Sequence, residues 1–152
     1  MSSPQPVPEV LLIRARAWIC ALRIEDVIET FRPLPVQPVP QAPASVSGAA
    51  VVRGQPIPVV NLAALLGAES GAPGGRFVIV RTGGRTVALE VDEVIGVRPV
   101  PHATLSAAPP LLGDAVRDHV DALGALDARL LAVLNAAHII PDPPAEAPQE
   151  DA

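Results

Sequence analysis

Apolar residues occur along most of this chain in short runs separated by Gly, Pro and charged residues, a pattern typical of β-strands and turns. Ile24–Phe31 also has helix-like spacing, but its β-branched residues favour a short turn followed by a strand. Prolines exclude regular structure between Arg32 and Ala44. The remaining predicted strands are Val10–Leu22, Ala49–Val52, Ile57–Val60, Arg76–Arg81, Arg85–Val91, Glu93–Val100, Asp118–Leu126 and Arg129–Leu134.

Residues that favour tight turns connect several of these strands. Gly83-Gly84 supplies the positive φ angles of a hairpin between Arg76–Arg81 and Arg85–Val91. Asp127-Ala128 is a candidate turn before the last strand, and Arg53-Gly54-Gln55-Pro56 separates the two apolar runs of Ser45–Gly67. The chain therefore predicts a mainly β fold built from hairpins.

Two short segments predict single-turn helices and resemble one another. Val59–Gly67 and Val133–Pro141 each contain two aliphatic residues, an Asn that can cap a helix, two small residues, two larger apolar ones and a helix breaker. Chance similarity in an Ala- and Leu-rich chain is one explanation. The other is a pair of similar small β-barrels, each closed by a short helix.

Arg53 is the only charged residue between Ser45 and Gly67. A guanidinium among aliphatic strands needs a carboxylate or a binding partner, because burying an unpaired charge is costly. Arg53 is therefore the first candidate for a functional side chain.

Composition narrows the classes of function. The 152 residues suit one compact domain, and 49% are hydrophobic, but only two Phe, one Trp and no Tyr are present, which leaves few surfaces for stacking bases. The net charge of -5 comes largely from Asp142, Glu146, Glu150 and Asp151, so the folded body is nearly neutral. Because a nucleic-acid-binding protein needs a basic surface, direct nucleic-acid binding is disfavoured.

The two ends of the chain have the composition of disordered segments. Residues 1–8 and 142–152 are rich in Pro and polar residues, which leaves residues 9–141 as the predicted domain. Neither a signal peptide nor a membrane span is predicted, so we expect a cytoplasmic protein. Cys20 lies in an apolar run and is interpreted as a core residue.

Catalytic, metal and cofactor sites are not predicted. His102, His119 and His138 lack metal-ligand spacing, and the serines lack the glycines of a nucleophile elbow. Glu90, Asp92 and Glu93 are interpreted as a solvated strand edge rather than a pair of catalytic carboxylates.

Three ordered motifs resemble the CheW family of chemotaxis coupling proteins. Gly48–Asn61 is similar to the family's pattern of a glycine, a short strand, Arg-Gly and a proline-containing strand. Arg76–Val97 and Gly124–Ile140 are similar to its later segments. The resemblance implies two SH3-like, five-stranded β-barrels in an adaptor without catalytic activity. Such an adaptor links the cytoplasmic tip of methyl-accepting chemoreceptors to the regulatory domain of the histidine kinase CheA.

The resemblance also implies a partner-binding site. It pairs Arg53 with Glu29 beside a receptor-binding groove, where the pair either contacts the receptor or is only structural. Four aliphatic residues are candidates for the apolar part of this surface, with core packing as the alternative for each: Val27, Val51, Val52 and Ile57.

One departure from the family pattern concerns Ile13–Leu22, where the first hairpin looks trimmed. Two alternatives to the coupling function remain open. An accessory member of the family would bind receptors, or a second copy of itself, without engaging the kinase. A small-ligand or enzymatic β-barrel is the alternative from another class.

Overall fold

A computed structural model describes residues 8–68, 75–101, 104–107 and 118–139. The expectations for residues 1–7 and 142–152 and for His102 lie outside these described residues. The elements that lie wholly within the described residues include eleven strands, a 3-10 turn (Ile24–Asp26) and two short helices, α1 (Leu62–Leu65) and α2 (Ala136–Ile139). The strands are β1 (Glu9–Ala15), β2 (Trp18–Arg23), β3 (Val27–Phe31), β4 (Val46–Val52), β5 (Gln55–Asn61), β6 (Arg76–Thr82), β7 (Arg85–Val91), β8 (Glu93–Pro99), β9 (Ser106–Ala107), β10 (Val120–Leu126) and β11 (Arg129–Leu134).

Two sheets contain all of these strands, which confirms the predicted mainly β fold. One is five-stranded, in the order β3-β6-β7-β5-β4, and the other is six-stranded, in the order β8-β1-β2-β11-β10-β9. Prediction and structure differ in the second sheet, where β9 adds a sixth strand of two residues to the expected five. The turn and strand expected within Ile24–Phe31 and the Gly83-Gly84 hairpin are also confirmed.

The single strand predicted at Val10–Leu22 is wrong, because this segment forms the β1–β2 hairpin. Arg16 and Ala17 make the turn, and Arg16 adopts a φ of 58°. The carboxylate of Asp92, far away in the sequence, accepts a hydrogen bond from the Arg16 amide at 2.6 Å. Since nothing local marks this turn and both faces of β1 and β2 are largely buried, the apolar pattern does not reveal it.

The two sheets repeat one arrangement with exchanged strands. In the five-stranded sheet, the β6–β7 hairpin pairs on one side with β3 and on the other side, in parallel, with β5, which leads into α1. In the six-stranded sheet, the β1–β2 hairpin pairs in the same way with β8 and with β11, which leads into α2. The third strand of the first half, β3, lies in the same sheet as β6–β7, whereas β8 pairs with β1. Each sheet therefore contains strands from both halves of the sequence.

Irregularities occur at corresponding places in the two sheets. The extra residue of a β-bulge is Ile28 in β3 and Ile95 in β8. A second pair of bulges is centred on Ser47 in β4 and Asp121 in β10. Because bulges depend on register rather than on composition, this agreement supports a structural repeat as the origin of the similarity between Val59–Gly67 and Val133–Pro141.

Buried side chains form three clusters. Side chains of β4, β5, β6 and β7, together with Phe31 of β3, fill the interior of the barrel that the five-stranded sheet forms. A corresponding cluster fills the six-stranded sheet, and the largest cluster lies between the two sheets and includes α1 and α2. Buried residues in the described part of the chain are all apolar, so both barrels have packed apolar interiors.

The two helices are capped as the sequence predicts. The Asn61 side chain accepts a hydrogen bond from the Ala64 amide at 2.9 Å, and that of Asn135 accepts one from the Ala137 amide at 3.0 Å. Gly67 follows α1 with a φ of 84°. Among the described residues, neither helix is long and apolar enough to cross a membrane.

Candidate partner-binding site

The candidate site is centred on the two-residue turn between β4 and β5. Val52 and Gln55 are paired, so Arg53 and Gly54 form the turn, with φ angles of 50° and 80°. Positive φ at both positions is typical of a type I′ turn, whose twist matches that of the flanking strands. Arg53 has 72% of its side chain exposed, so this turn presents a cation to solvent at one end of the barrel.

Arg53 forms the expected ion pair with Glu29. Its guanidinium donates to the carboxylate at 2.7 Å and lies 6.0 Å from the centre of the Phe31 ring. Because β3 and β4 are the two edges of the five-stranded sheet, this contact joins one edge to the turn at the other. The pair therefore helps to close the barrel, and much of the guanidinium still faces solvent.

A counterpart of this ion pair occurs in the six-stranded sheet with its charges reversed. Asp127 occupies the position of Arg53 in the β10–β11 turn, has a φ of 48°, and accepts a hydrogen bond from Arg98 of β8 at 3.1 Å. Each barrel thus links a charged turn residue to its third strand.

The four predicted aliphatic residues lie in different environments. Val51 has 67% of its surface exposed and stands two residues before Arg53. Val27 is partly buried against the cluster between the two sheets. Val52 and Ile57, 7% and 8% exposed, belong to the interior of the five-stranded barrel, in agreement with core packing. The structure thus brings Val51, Arg53 and Glu29 to the surface, with Val52 and Ile57 behind them.

Ile28 is an exposed apolar residue that the sequence analysis did not select. It has 48% of its surface exposed and immediately precedes Glu29. As the extra residue of the β3 bulge it lies outside the regular alternation of the strand. Its type alone gives no signal of exposure, because Ile is usually buried.

The acidic residues interpreted as a solvated strand edge also contact other elements, and of the three Glu93 lies on the edge strand β8 with 57% of its side chain exposed. Glu90 accepts a hydrogen bond from the Asn61 side chain at 2.8 Å. Asp92 and Glu93 both form ion pairs with Arg14 of β1, at 3.7 and 3.2 Å. These carboxylates connect β7 and β8 to neighbouring elements and have no arrangement that indicates catalysis.

Two titratable groups have shifted pKa values. Burial raises the pKa of the Cys20 thiol to about 12, so the side chain is protonated near neutral pH and behaves as a core residue. Burial and the neighbouring Glu25 raise the pKa of Asp26, while Arg23 acts in the opposite direction. No group of His, Cys, Asp and Glu suited to a metal ion occurs among the described residues.

The domain is similar to a family model and to known proteins along most of its length. The family model for the CheW-like domain matches residues 9–143. The chain is 30% identical over 115 residues to the chemotaxis protein CheW of Rhizobium meliloti (strain 1021), covering 74% of each protein. It is 33% identical over 118 residues to the protein FrzA of Myxococcus xanthus, covering 76% of this chain and 73% of FrzA.

The fold is also similar to a solved structure. The scaffolding protein TtCheW from Thermoanaerobacter tengcongensis superimposes with a TM-score of 0.77, covering 86% of this chain and 90% of TtCheW. At 22% sequence identity this likeness concerns the fold alone.

Proposed function

Because this chain belongs to the CheW-like domain family, we propose that it is a non-enzymatic adaptor in a chemosensory pathway. It links the cytoplasmic tips of methyl-accepting chemoreceptors to the regulatory domain of a CheA-type histidine kinase. It works in the cytoplasm at clusters of receptors and requires no cofactor. Packed apolar barrel interiors in the described part of the chain favour this function over a small-ligand or enzymatic barrel.

The observation that carries the proposal is the Arg53–Glu29 pair, whose guanidinium is exposed, with apolar side chains beside it. Val51 and Ile28, the nearest exposed apolar residues in the sequence, flank Arg53 and Glu29 respectively. A receptor helix that presents an apolar ridge and hydrogen-bond acceptors is complementary to this surface. Glu29 holds the guanidinium in place, which lowers the entropic cost of ordering it on binding.

Substituting Arg53→Ala tests the receptor-binding role. We expect binding to an isolated receptor cytoplasmic hairpin to weaken about tenfold, because a hot-spot Arg contributes on the order of 1–2 kcal/mol or more. The free energy of unfolding should fall by at most about 1 kcal/mol, because the Arg53 side chain is largely exposed. Calorimetric titration and urea unfolding measure the two quantities.

Arg98→Ala is the matched control, since it breaks the corresponding ion pair of the other barrel. We expect it to leave receptor binding unchanged. Equal losses of receptor binding in both variants, or a large loss of stability with normal binding in Arg53→Ala, would show that Arg53 is only structural.

Titration with an isolated kinase regulatory domain separates full coupling from the accessory alternative. A coupling protein binds both the receptor hairpin and the kinase domain and raises receptor-dependent kinase activity. Receptor binding without kinase binding would favour the accessory protein, and binding to neither would contradict the proposed adaptor function.

A further inference from the structure

The outer edge of β4 is an uncharged strand edge at the surface of the molecule. β4 ends the five-stranded sheet, and residues 45–52 contain neither a charge nor a proline. Such a segment with free backbone groups on its outer side is a template for pairing with another chain. Natural sheets cover or interrupt edges of this kind.

A single residue of the proline-rich segment is paired with this edge. Gln37 and Ala49 exchange both backbone hydrogen bonds, each at 2.9 Å, in an isolated antiparallel bridge. Leu34 and Val36, just before the bridge, pack against the interior of the barrel. Residues 33–40, which we call the proline strap, are thereby fixed across the middle of β4.

Proline prevents the strap from continuing its pairing with β4 on the side of the bridge toward Val52. The next antiparallel pair would place Pro35 opposite Val51, but Pro35 has no N–H to donate. On the outer side of the strap, Pro38 likewise lacks a donor. The strap therefore occupies the edge of β4 without offering a regular edge of its own for a further strand.

Gly48 allows the strap to approach this closely. A Cβ atom at this position would lie 2.1 Å from the Gln37 carbonyl oxygen and 2.7 Å from its carbon, and Gly48 has a φ of 149°. Both observations require glycine in β4 next to the bridge. Glycine is thus needed here for the seating of the strap as well as for the backbone conformation.

Beyond Pro38 a largely apolar groove of about 580 Å³ lies beside the strap. It is lined by Val39–Pro43 on one side and by residues of β4 and β5 on the other. The Gln37 bridge holds the strap against the edge of β4, while Leu34 and Val36 anchor it to the barrel interior. Removing the bridge should therefore loosen the strap from the edge.

We propose that the proline strap is a guard that prevents the edge of β4 from pairing with β4 of a second copy of this chain. Two identical uncharged edges can pair antiparallel about a two-fold axis, which makes a closed, self-complementary contact. This proposal concerns an edge of the barrel and does not depend on the proposed adaptor function.

Gln37→Pro tests the guard, because it removes the amide donor of the bridge. Its matched control is Gln37→Ala, which keeps the backbone donor and acceptor and changes only the side chain. We expect Gln37→Pro to dimerise at a concentration at least tenfold lower than the parent and Gln37→Ala, as measured by analytical ultracentrifugation. In its monomer, the Ala49 amide should exchange with deuterium at least tenfold faster than in the parent.

Adding Val51→Lys to Gln37→Pro should abolish the gained dimerisation and return association to the weaker level of the parent, because charged side chains on an edge oppose strand pairing. A second route removes the strap's anchors with Leu34→Ser and Val36→Ser and should also promote dimerisation. The proposal is overturned if Gln37→Pro keeps a native circular dichroism spectrum and the parent's association, or if Val51→Lys leaves the gained association intact.

Discussion

At the scale of single residues, Arg53 has a backbone conformation that costs free energy for any side chain with a Cβ atom. Its φ of 50° lies in the left-handed region, where non-glycine residues lose about 1–2 kcal/mol. The contacts with Glu29 and Phe31 offset only part of this cost, because the guanidinium is mostly exposed. Keeping an arginine in a turn that favours glycine is consistent with a role in binding.

This cost can be measured with Arg53→Gly. We expect it to be at least as stable as the parent and about 1 kcal/mol more stable than Arg53→Ala, because glycine adopts positive φ without strain. Urea unfolding of the three proteins gives the comparison. A glycine variant no more stable than the alanine variant would mean that the turn is not strained.

Arg53 and Glu29 were predicted as site residues, whereas the exposure of Ile28 was not predictable, for a physical reason. A lone charge among aliphatic residues is visible in the sequence, and its partner Glu29 came from a family resemblance. The exposure of Ile28 depends on a bulge in the pairing of β3 with β6, which no local pattern encodes. The turn at Arg16 was not predicted for a similar reason, since its stabilising contact is with Asp92, which is distant in the sequence.

At the scale of elements, both helices are capped by an asparagine, but the two asparagines lie in different environments. The hydrogen bonds of the Asn61 side chain, to Ala64 and Glu90, are partly buried. Those of Asn135, to Asp121 and Ala137, are exposed to solvent. Water can replace a lost bond at Asn135 more readily than at Asn61.

We therefore expect Asn61→Ala to lower the free energy of unfolding by about 1–2 kcal/mol. Asn135→Ala, its counterpart in the repeat, should cost about half as much or less. Urea unfolding of both variants tests the difference. Equal losses would mean that capping alone, and not burial, sets the cost.

Most strands were predictable because turn residues such as Gly83-Gly84 and Asp127-Ala128 separate them. The order of the strands within the sheets was not, since period and turn chemistry describe neighbours in the sequence only. The similarity around Asn61 and Asn135 indicated a repeat, yet it contained no sign that the β1–β2 and β6–β7 hairpins are exchanged between the halves.

At the scale of the whole molecule, this exchange and the shared cluster should make the two barrels unfold together. Trp18, the only tryptophan, packs against the cluster between the sheets, whereas Ile79 lies in the interior of the five-stranded barrel. A substitution in one barrel should therefore shift the unfolding midpoint that a probe outside that barrel reports.

Ile79→Val should lower the free energy of unfolding by about 1 kcal/mol. We expect Trp18 fluorescence and far-ultraviolet circular dichroism to report the same urea midpoint, shifted equally from that of the parent. A fluorescence midpoint that stays in place while the circular dichroism midpoint falls would show that the barrels unfold independently.

The exchange of hairpins between the two halves also decides the order in which a nascent chain can fold. The five-stranded sheet has all its strands once Val91 has left the ribosome. The β1–β2 hairpin is made first, but its two neighbours, β8 and β11, emerge later, and β11 ends at Leu134. The earliest hairpin therefore waits longest for its sheet, and during synthesis its apolar strands are the ones that a chaperone would have to shield.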